Sequence, residues 1–167
     1  MNEMNYCVEC GTRLKLRHLE NEGEIPFCER CNEFRFPIFS CAVSMIVLNP
    51  KKDRALLIKQ YGNDFFVLTA GYVNKGENAE NAVAREIKEE LGASVKEISF
   101  NRSGYFEKSQ TLIFNFTAVL ESEEIKPNHE VDYYEWFSFE NAKKNIKPNS
   151  LAQQFVNEFF DNYEVIK

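Results

Sequence analysis

No apolar run in this sequence is long enough to span a bilayer. The longest, near Cys41–Leu48, is less than half of the roughly 20 residues a membrane helix needs. Basic residues are also short: 20 Lys and Arg stand against 26 Asp and Glu, a net charge of -6. No global basic field therefore draws the chain to nucleic acid or anionic lipid. The amino-terminal MNEMNYC carries Glu3 but no basic residue and no apolar stretch, so it does not read as a signal peptide, and a cytoplasmic protein without membrane contact is expected. Internal repeats and low-complexity tracts are missing. What remains is a 167-residue chain, enough for one domain with a real core and a small module beside it.

The small module is residues 1–36. It lacks long apolar runs and carries turn formers at Gly11, Gly23 and Pro26. A piece of this size needs a staple. Four of the five cysteines form two C-x2-C pairs, Cys7/Cys10 and Cys28/Cys31, separated by seventeen residues. That spacing matches a four-thiolate zinc site. Two disulfides are the alternative, and they need an oxidising compartment for which nothing here argues. His18 falls between the pairs and reads as a surface residue, since four thiolates complete a tetrahedron. Five bases (Arg13, Lys15, Arg17, Arg30, Arg35) face seven acids (Glu3, Glu9, Glu20, Glu22, Glu24, Glu29, Glu33). Only Arg13-Lys15-Arg17 offers a basic stretch, so nucleic acid is not the expected partner and a structural or dimerising ribbon is.

From residue 37 the pattern becomes that of an α+β domain. Strand-like segments are 38–49, 54–60 (a hairpin with the first), 65–70, 94–107, 110–120 and 133–139. Helices are expected from Asn78 to Gly92 and over 150–163, where Leu151, Phe155, Phe159 and Tyr163 recur every four residues behind a Ser150 N-cap. Cys41 reads as a small core residue.

The first helix poses an electrostatic problem. Glu86, Glu89 and Glu90 are three and four residues apart, and like charges at that spacing repel. At about 100° per residue, Ala79, Val83, Ile87 and Leu91 form an apolar stripe. Glu86 and Glu90 fall on the shoulder of that stripe, not opposite it, and Glu89 lies farther round. Carboxylates at the rim of a core need compensation. Either Arg85 supplies it, or an oxygen-seeking Mg²⁺ or Mn²⁺ does.

The same stretch carries a longer pattern. Gly71, five residues, Glu77, seven residues, then Arg85-Glu86-Ile87-Lys88-Glu89-Glu90-Leu91-Gly92-Ala93 resembles the Nudix box, G-x5-E-x7-R-E-U-x-E-E-x-G-U, with Ala93 smaller than the usual final residue. The resemblance covers residues 37–167 and implies a mixed sheet sandwiched by helices. It also implies hydrolysis of a nucleoside diphosphate linked to another moiety. By the resemblance, Glu86, Glu89 and Glu90 are ligands of Mg²⁺ or Mn²⁺, with Glu86 an alternative base for the attacking water. Glu77 supports the metal shell and Arg85 orients the glutamates, completing the catalytic set. Gly71 and Tyr72 are implied on the substrate side. "HEVDYYEWFSF" is similar to a later segment of the family and places Glu130 as a further metal ligand; Glu123 and Glu124 read as a solvated acidic loop.

A four-cysteine ribbon before such a domain resembles the NADH pyrophosphatases, which implies a zinc ribbon, an NAD-type substrate and, by analogy, a homodimer. Three features depart from that group. Those enzymes usually carry a further domain ahead of the ribbon, whereas the sequence here opens on the ribbon. "RFPIFSC" keeps only the aromatic-Pro of their next segment. "SGYFEKSQT" (103–111) stands where they have S-Q-P-W-P-F-P-x-S, retaining Ser103 and Phe106. ADP-ribose, other nucleotide sugars, triphosphates and an RNA 5′ cap thus stay open as substrates, as does a non-catalytic nucleotide sensor. Tyr72, Tyr105, Phe106 and Phe114 could stack a base, Phe114 being better suited to the core.

Overall fold

The structure is a computed structural model and describes residues 4–165; Glu3 and the rest of the first three residues weighed above lie outside the described part. The chain divides into two compact units, the first ending at Phe39 and the second beginning at Ser40.

The first unit is a three-stranded antiparallel sheet of β1 (Lys15–Leu19), β2 (Gly23–Cys28) and β3 (Glu33–Phe34). Its apolar content is small. Phe27 is buried, meets Phe34 edge-on at 4.9 Å, and carries the Arg17 guanidinium 3.5 Å above its ring. Lys15 pairs with Glu29 at 2.9 Å, so the basic stretch is partly neutralised within the unit itself. His18 is exposed on β1, 3.5 Å from Glu24.

The second unit is built on a six-stranded mixed sheet. Its strands are β4 (Ser40–Leu48), β5 (Arg54–Gln60), β6 (Thr69–Tyr72), β7 (Val95–Phe106), β8 (Thr111–Leu120) and β9 (Val131–Ser138). The order is β7-β8-β4-β5-β9, with β6 also paired to β4. β4 and β5 form the expected hairpin, and β4 runs parallel to β8 over nine register positions. Side chains alternate along β4. Val43, Met45 and Val47 pack against Val83, Ile87 and Leu91 of α1 (Ala79–Leu91). Ile46 and Leu48 pack into the cluster formed with Ala142 of α2 (Phe139–Asn145) and Phe155, Val156 and Phe160 of α3 (Leu151–Val165). Burial on both faces explains why β4 reads as an unbroken apolar run. Among the described residues no helix is long and apolar enough to cross a membrane.

Three expectations shift. The strand anticipated over 65–70 is β6, at Thr69–Tyr72; residues before it contribute only single bridges, Ile58 to Val67 and Phe66 to Ile146. β4 pairs with β5 through Val47 and Leu48 and with β6 through Ala42–Met45, so the chain crosses from one to the other over 65–68. The last strand ends at Ser138, whose hydroxyl accepts from Asn141 N and starts α2. Cys41 is half-buried where β4 begins rather than in the core.

α1 has the boundaries its caps dictate. The Asn78 side chain accepts from Asn81 N at 2.8 Å, and Gly92 ends the helix with φ 63°. The loop after β8 crosses this end closely: Lys126 N donates to Leu91 O, and a Cβ on Gly92 would stand 2.6 Å from Lys126 O. Gly92→Ala therefore meets both a left-handed backbone and a backbone clash. It is expected to lower unfolding stability by about 2 kcal/mol or more in denaturant titration.

Candidate active site and cysteine cluster

α1 and the sheet place the box glutamates in three environments. Glu90 is 4% exposed, Glu86 has 12% of its side chain exposed, and Glu89 has 57%. The amphipathic wheel anticipates this ranking, because the shoulder of an apolar stripe is where a long carboxylate side chain becomes trapped against the sheet. Gly71 on β6 makes room for one of them. A Cβ there would land on the Glu86 carboxyl carbon, so no other residue fits without displacing that carboxylate. Gly71→Ala is expected to push the Glu86 carboxylate off β6, visible in a crystal structure of the variant, with little change in melting temperature because the displaced atoms are the far end of a flexible side chain.

Arg85 organises the surrounding acids. Its Nε and Nη2 donate to the two oxygens of Glu77 at 2.9 Å each. Nη1 donates to Glu86 at 2.6 Å and Glu89 at 3.0 Å, and Nη2 also reaches Tyr72 O at 2.9 Å. The guanidinium, helped by Asn74 N, holds the Glu77 carboxyl down to about 2. Glu77 and Glu89 are thus both joined to Glu86 through Arg85.

Glu86, Glu90 and Glu130 line one open cleft of about 380 Å³, together with Gly71, Tyr72 and Thr111. Glu130 comes from the loop before β9. Asn128 N donates to Glu90 O at 2.9 Å, and the Asn128 side chain accepts from Glu130 N at 2.8 Å, so this loop is tethered to the carboxyl end of α1. Burial first, and then the charges of Glu86 and Glu130, push the Glu90 carboxyl up to about 7. Gln60 Nε2, 3.3 Å away, offsets only part of this. Three carboxylates thus line one cleft, the buried one pushed toward neutrality by burial and by its neighbours, and their oxygen donors are of the kind a hard divalent cation takes.

The other sequence candidates lie elsewhere. Glu123 accepts from Arg54 at 2.8 and 2.9 Å and from Asn49, so it ties its loop to the β4–β5 turn. Glu124 pairs with Lys126. Phe114 is half-buried against Phe116 and its neighbours, and neither Tyr105 nor Phe106 lines the cleft. Tyr72 is 60% exposed at the cleft rim. Sequence reasoning missed Gln60 and Tyr61, whose turn signal said nothing of what their side chains reach, and Ser109 and Thr111, whose hydroxyls line or border the cleft.

In the first unit the four paired cysteines converge, with all four sulfurs within 4.8 Å of one another. Cys7 and Cys31 are 3.9 Å apart and Cys10 and Cys28 are 3.5 Å apart, far beyond the roughly 2.05 Å of a disulfide. A tetrahedron of thiolates with metal bonds of about 2.3 Å has edges of about 3.8 Å, which these separations match. Burial works to raise the Cys7 thiol, but Arg35 Nε, 3.2 Å from its sulfur, and nearby backbone N–H groups bring it down to about 6. Cys31 is pushed up to about 12, chiefly by Cys10 and then by burial. Four sulfurs gathered at tetrahedral separations form a donor set that fits a metal. Arg35 also pairs with Glu9 and Glu33 at 2.7 and 2.6 Å, fixing the guanidinium beside the cluster.

Comparison with known families decides the kinship. The family model described as NUDIX domain matches residues 39–158. The chain belongs to the Nudix family. Among curated proteins it is 28% identical over 158 residues to the NAD-capped RNA hydrolase NudC of Vibrio vulnificus, covering 92% of this chain and 58% of that protein. It is 29% identical over 154 residues to the protein of the same name from Pseudomonas aeruginosa, covering 90% of this chain and 54% of that one. The chain thus spans a little over half the length of these curated relatives. Among solved structures, a NUDIX hydrolase from Nitrosomonas europaea superposes with a TM-score of 0.62 at 20% identity, covering 93% of this chain and 92% of that one, which shows a shared Nudix fold.

Proposed function

We propose that this Nudix protein hydrolyses a diphosphate linkage in a nucleotide substrate, with a divalent cation, Mg²⁺ or Mn²⁺, held by Glu86, Glu90 and Glu130 and flanked by Glu89. The observation that carries this reading is the buried Glu90, whose carboxyl is held near 7 in a cleft shared with two further carboxylates. When bound, such a cation neutralises phosphate charge and lowers the pKa of a bound water. Arg85 holds Glu86, Glu89 and Glu77 in fixed orientation, leaving the Glu86 oxygen turned away from the guanidinium either to hold the cation or, as the alternative, to accept a proton from the attacking water. Gly71 lets the Glu86 carboxylate lie against β6, and Tyr72 offers an exposed ring on which a base can stack. In the first unit, Cys7, Cys10, Cys28 and Cys31 hold a structural Zn²⁺. The acidic balance and the box support a cytoplasmic nucleotide enzyme, and the homodimer is an analogy drawn from the resemblance to ribbon-bearing NADH pyrophosphatases.

An NAD-type dinucleotide or ADP-ribose is the first substrate reading, supported by the ribbon-plus-box arrangement and by relatives whose name specifies NAD. The same name specifies capped RNA, so a 5′ RNA end carrying NAD is the second reading. The intact glutamate set weighs against a non-catalytic sensor. NADH, ADP-ribose, dinucleoside polyphosphates, nucleoside triphosphates and NAD-capped RNA, each assayed with Mg²⁺ and with Mn²⁺, separate these readings. Metal-dependent release of a monophosphate from a diphosphate-linked substrate is expected; no turnover on any of them would sink the enzyme reading.

A further inference from the structure

The last residue of β5 and the two that follow it touch three acids in succession, two of which line the cleft. The register of β5 against β9 slips between Lys59 and Gln60. Beyond the slip, Gln60 Nε2 reaches Glu90, the Tyr61 hydroxyl donates to Glu130 Oε2 at 2.7 Å, and Gly62 N donates to Asp132 Oδ2 at 2.7 Å. Bulges of this kind re-aim side chains next to functional sites.

Tyr61 is the unexpected member. Its backbone is left-handed, with φ 53°, directly before Gly62 at φ 70°. Glycine and asparagine adopt that backbone readily, and an aromatic residue does not. Nor does burial explain it, because Tyr61 is 71% exposed. Its hydroxyl spans 69 positions of sequence to reach one carboxylate.

We infer that Tyr61 is a positioning residue that fixes the Glu130 carboxylate toward Glu86 and Glu90. This rests on the reading of Glu130 as a cation ligand. The main chain of Glu130 is already tethered through Asn128 to the end of α1, but a glutamate side chain has three further torsions. The Tyr61 hydroxyl occupies one carboxylate oxygen and leaves the other free to face the cleft. Without it, Glu130 swings in solvent, and ordering it falls to the incoming cation. Outer partners that orient metal-ligating carboxylates typically change metal affinity by roughly 10- to 100-fold.

The test titrates Mn²⁺ alone into the intact chain, followed by the loss of its free EPR signal, for the wild type, Tyr61→Phe, Tyr61→Asn, Glu130→Gln and the Tyr61→Phe/Glu130→Gln pair. Tyr61→Phe keeps the ring and is expected to weaken Mn²⁺ binding about tenfold without changing the melting temperature. Turnover should fall at low Mn²⁺ and recover at saturating Mn²⁺, a split that a purely structural defect does not give. Tyr61→Asn suits the left-handed backbone, so it should melt higher than the wild type while losing the same Mn²⁺ affinity. The double variant should bind no more weakly than Glu130→Gln alone. Wild-type Mn²⁺ affinity in either Tyr61 variant, beside a weakened Glu130→Gln, overturns the inference and leaves the cation site standing. So does a further tenfold loss in the double variant. If Glu130→Gln itself binds like the wild type, Glu130 is no ligand, and both the inference and that part of the proposed site fall.

Discussion

Glu90→Gln is expected to lower turnover roughly a thousandfold while leaving the fold intact and, without metal, making the protein more stable at neutral pH. The loss of activity follows from removing one of the carboxylates that line the cleft beside Gly71. The gain in stability follows from the environment of the same side chain. Burial, and the charges of Glu86, Glu130 and Glu89, raise its carboxyl from 4.5 to about 7 in the folded protein. A group with a raised folded pKa binds more protons folded than unfolded between those two values, so stability falls as pH rises across that window. Below about 4.5 the group is neutral in both states and exacts no penalty. Above about 7 the penalty is complete, at most roughly 3–4 kcal/mol at about 1.4 kcal/mol per unit. Glutamine removes the charge and keeps the shape. Melting of wild type and variant compared from pH 4.5 to 7.5 should show the gap opening as pH rises, and Mg²⁺ or Mn²⁺ should close it by stabilising only the wild type. Near-normal turnover in the variant would refute the assignment, and a gap that does not grow with pH would refute its electrostatic cause. Glu77 acts in the opposite direction and in another window. With its folded pKa held at about 2, it stabilises above 4.5 and that contribution is lost as pH falls toward 2.

Cys28→Ser should abolish stoichiometric zinc binding and unfold the first unit. Cys28 is fully buried at the end of β2, and its sulfur also accepts from Cys31 N at 3.4 Å. The unit has little else to hold it together: among its described residues, the only apolar side chain outside the cysteines in the buried core is Phe27. Structural zinc contributes about 10–16 kcal/mol of binding free energy in such modules, far more than one buried phenylalanine. Metal analysis of the purified variant should find no zinc, and protease should cut within the first 39 residues while the Nudix unit keeps its own melting transition. The two hydrophobic clusters of that unit draw only on residues from Val43 onward. A variant that retained one zinc per chain would contradict the four-thiolate assignment.

How much of this was legible in the sequence depended on the range of the forces involved. The limits of α1 were readable because Asn78 and Gly92 act within one turn of the helix ends. The trapped position of Glu90 was readable because helical periodicity alone puts it beside Leu91 and Ile87. The cysteine cluster was readable because four thiols at that spacing have few other uses. The parallel pairing of β4 with β8 was not, since nothing local joins Ser40 to Thr111. The position of β6 was misjudged because Phe65, Phe66 and Val67 are as apolar as a strand, yet the crossing from β5 to β4 falls on them. Tyr61 and Gln60 escaped notice because a Tyr-Gly turn advertises only a reversal of direction. Their partners, Glu130 and Glu90, are brought to them by the sheet and helix.

The strand order of the Nudix unit also sets a sequence of events during synthesis. The apolar strand β4 emerges early, but its full-length neighbour β8 ends only at Leu120, and β9, which closes the far side of β5, ends at Ser138. Until then the nascent chain carries a nine-residue apolar segment without its flanking partner. The first unit, by contrast, ends at Phe39, and its four clustered cysteines are all made by Cys31. On the ribosome those four sulfurs can come together while most of the second unit is still unmade.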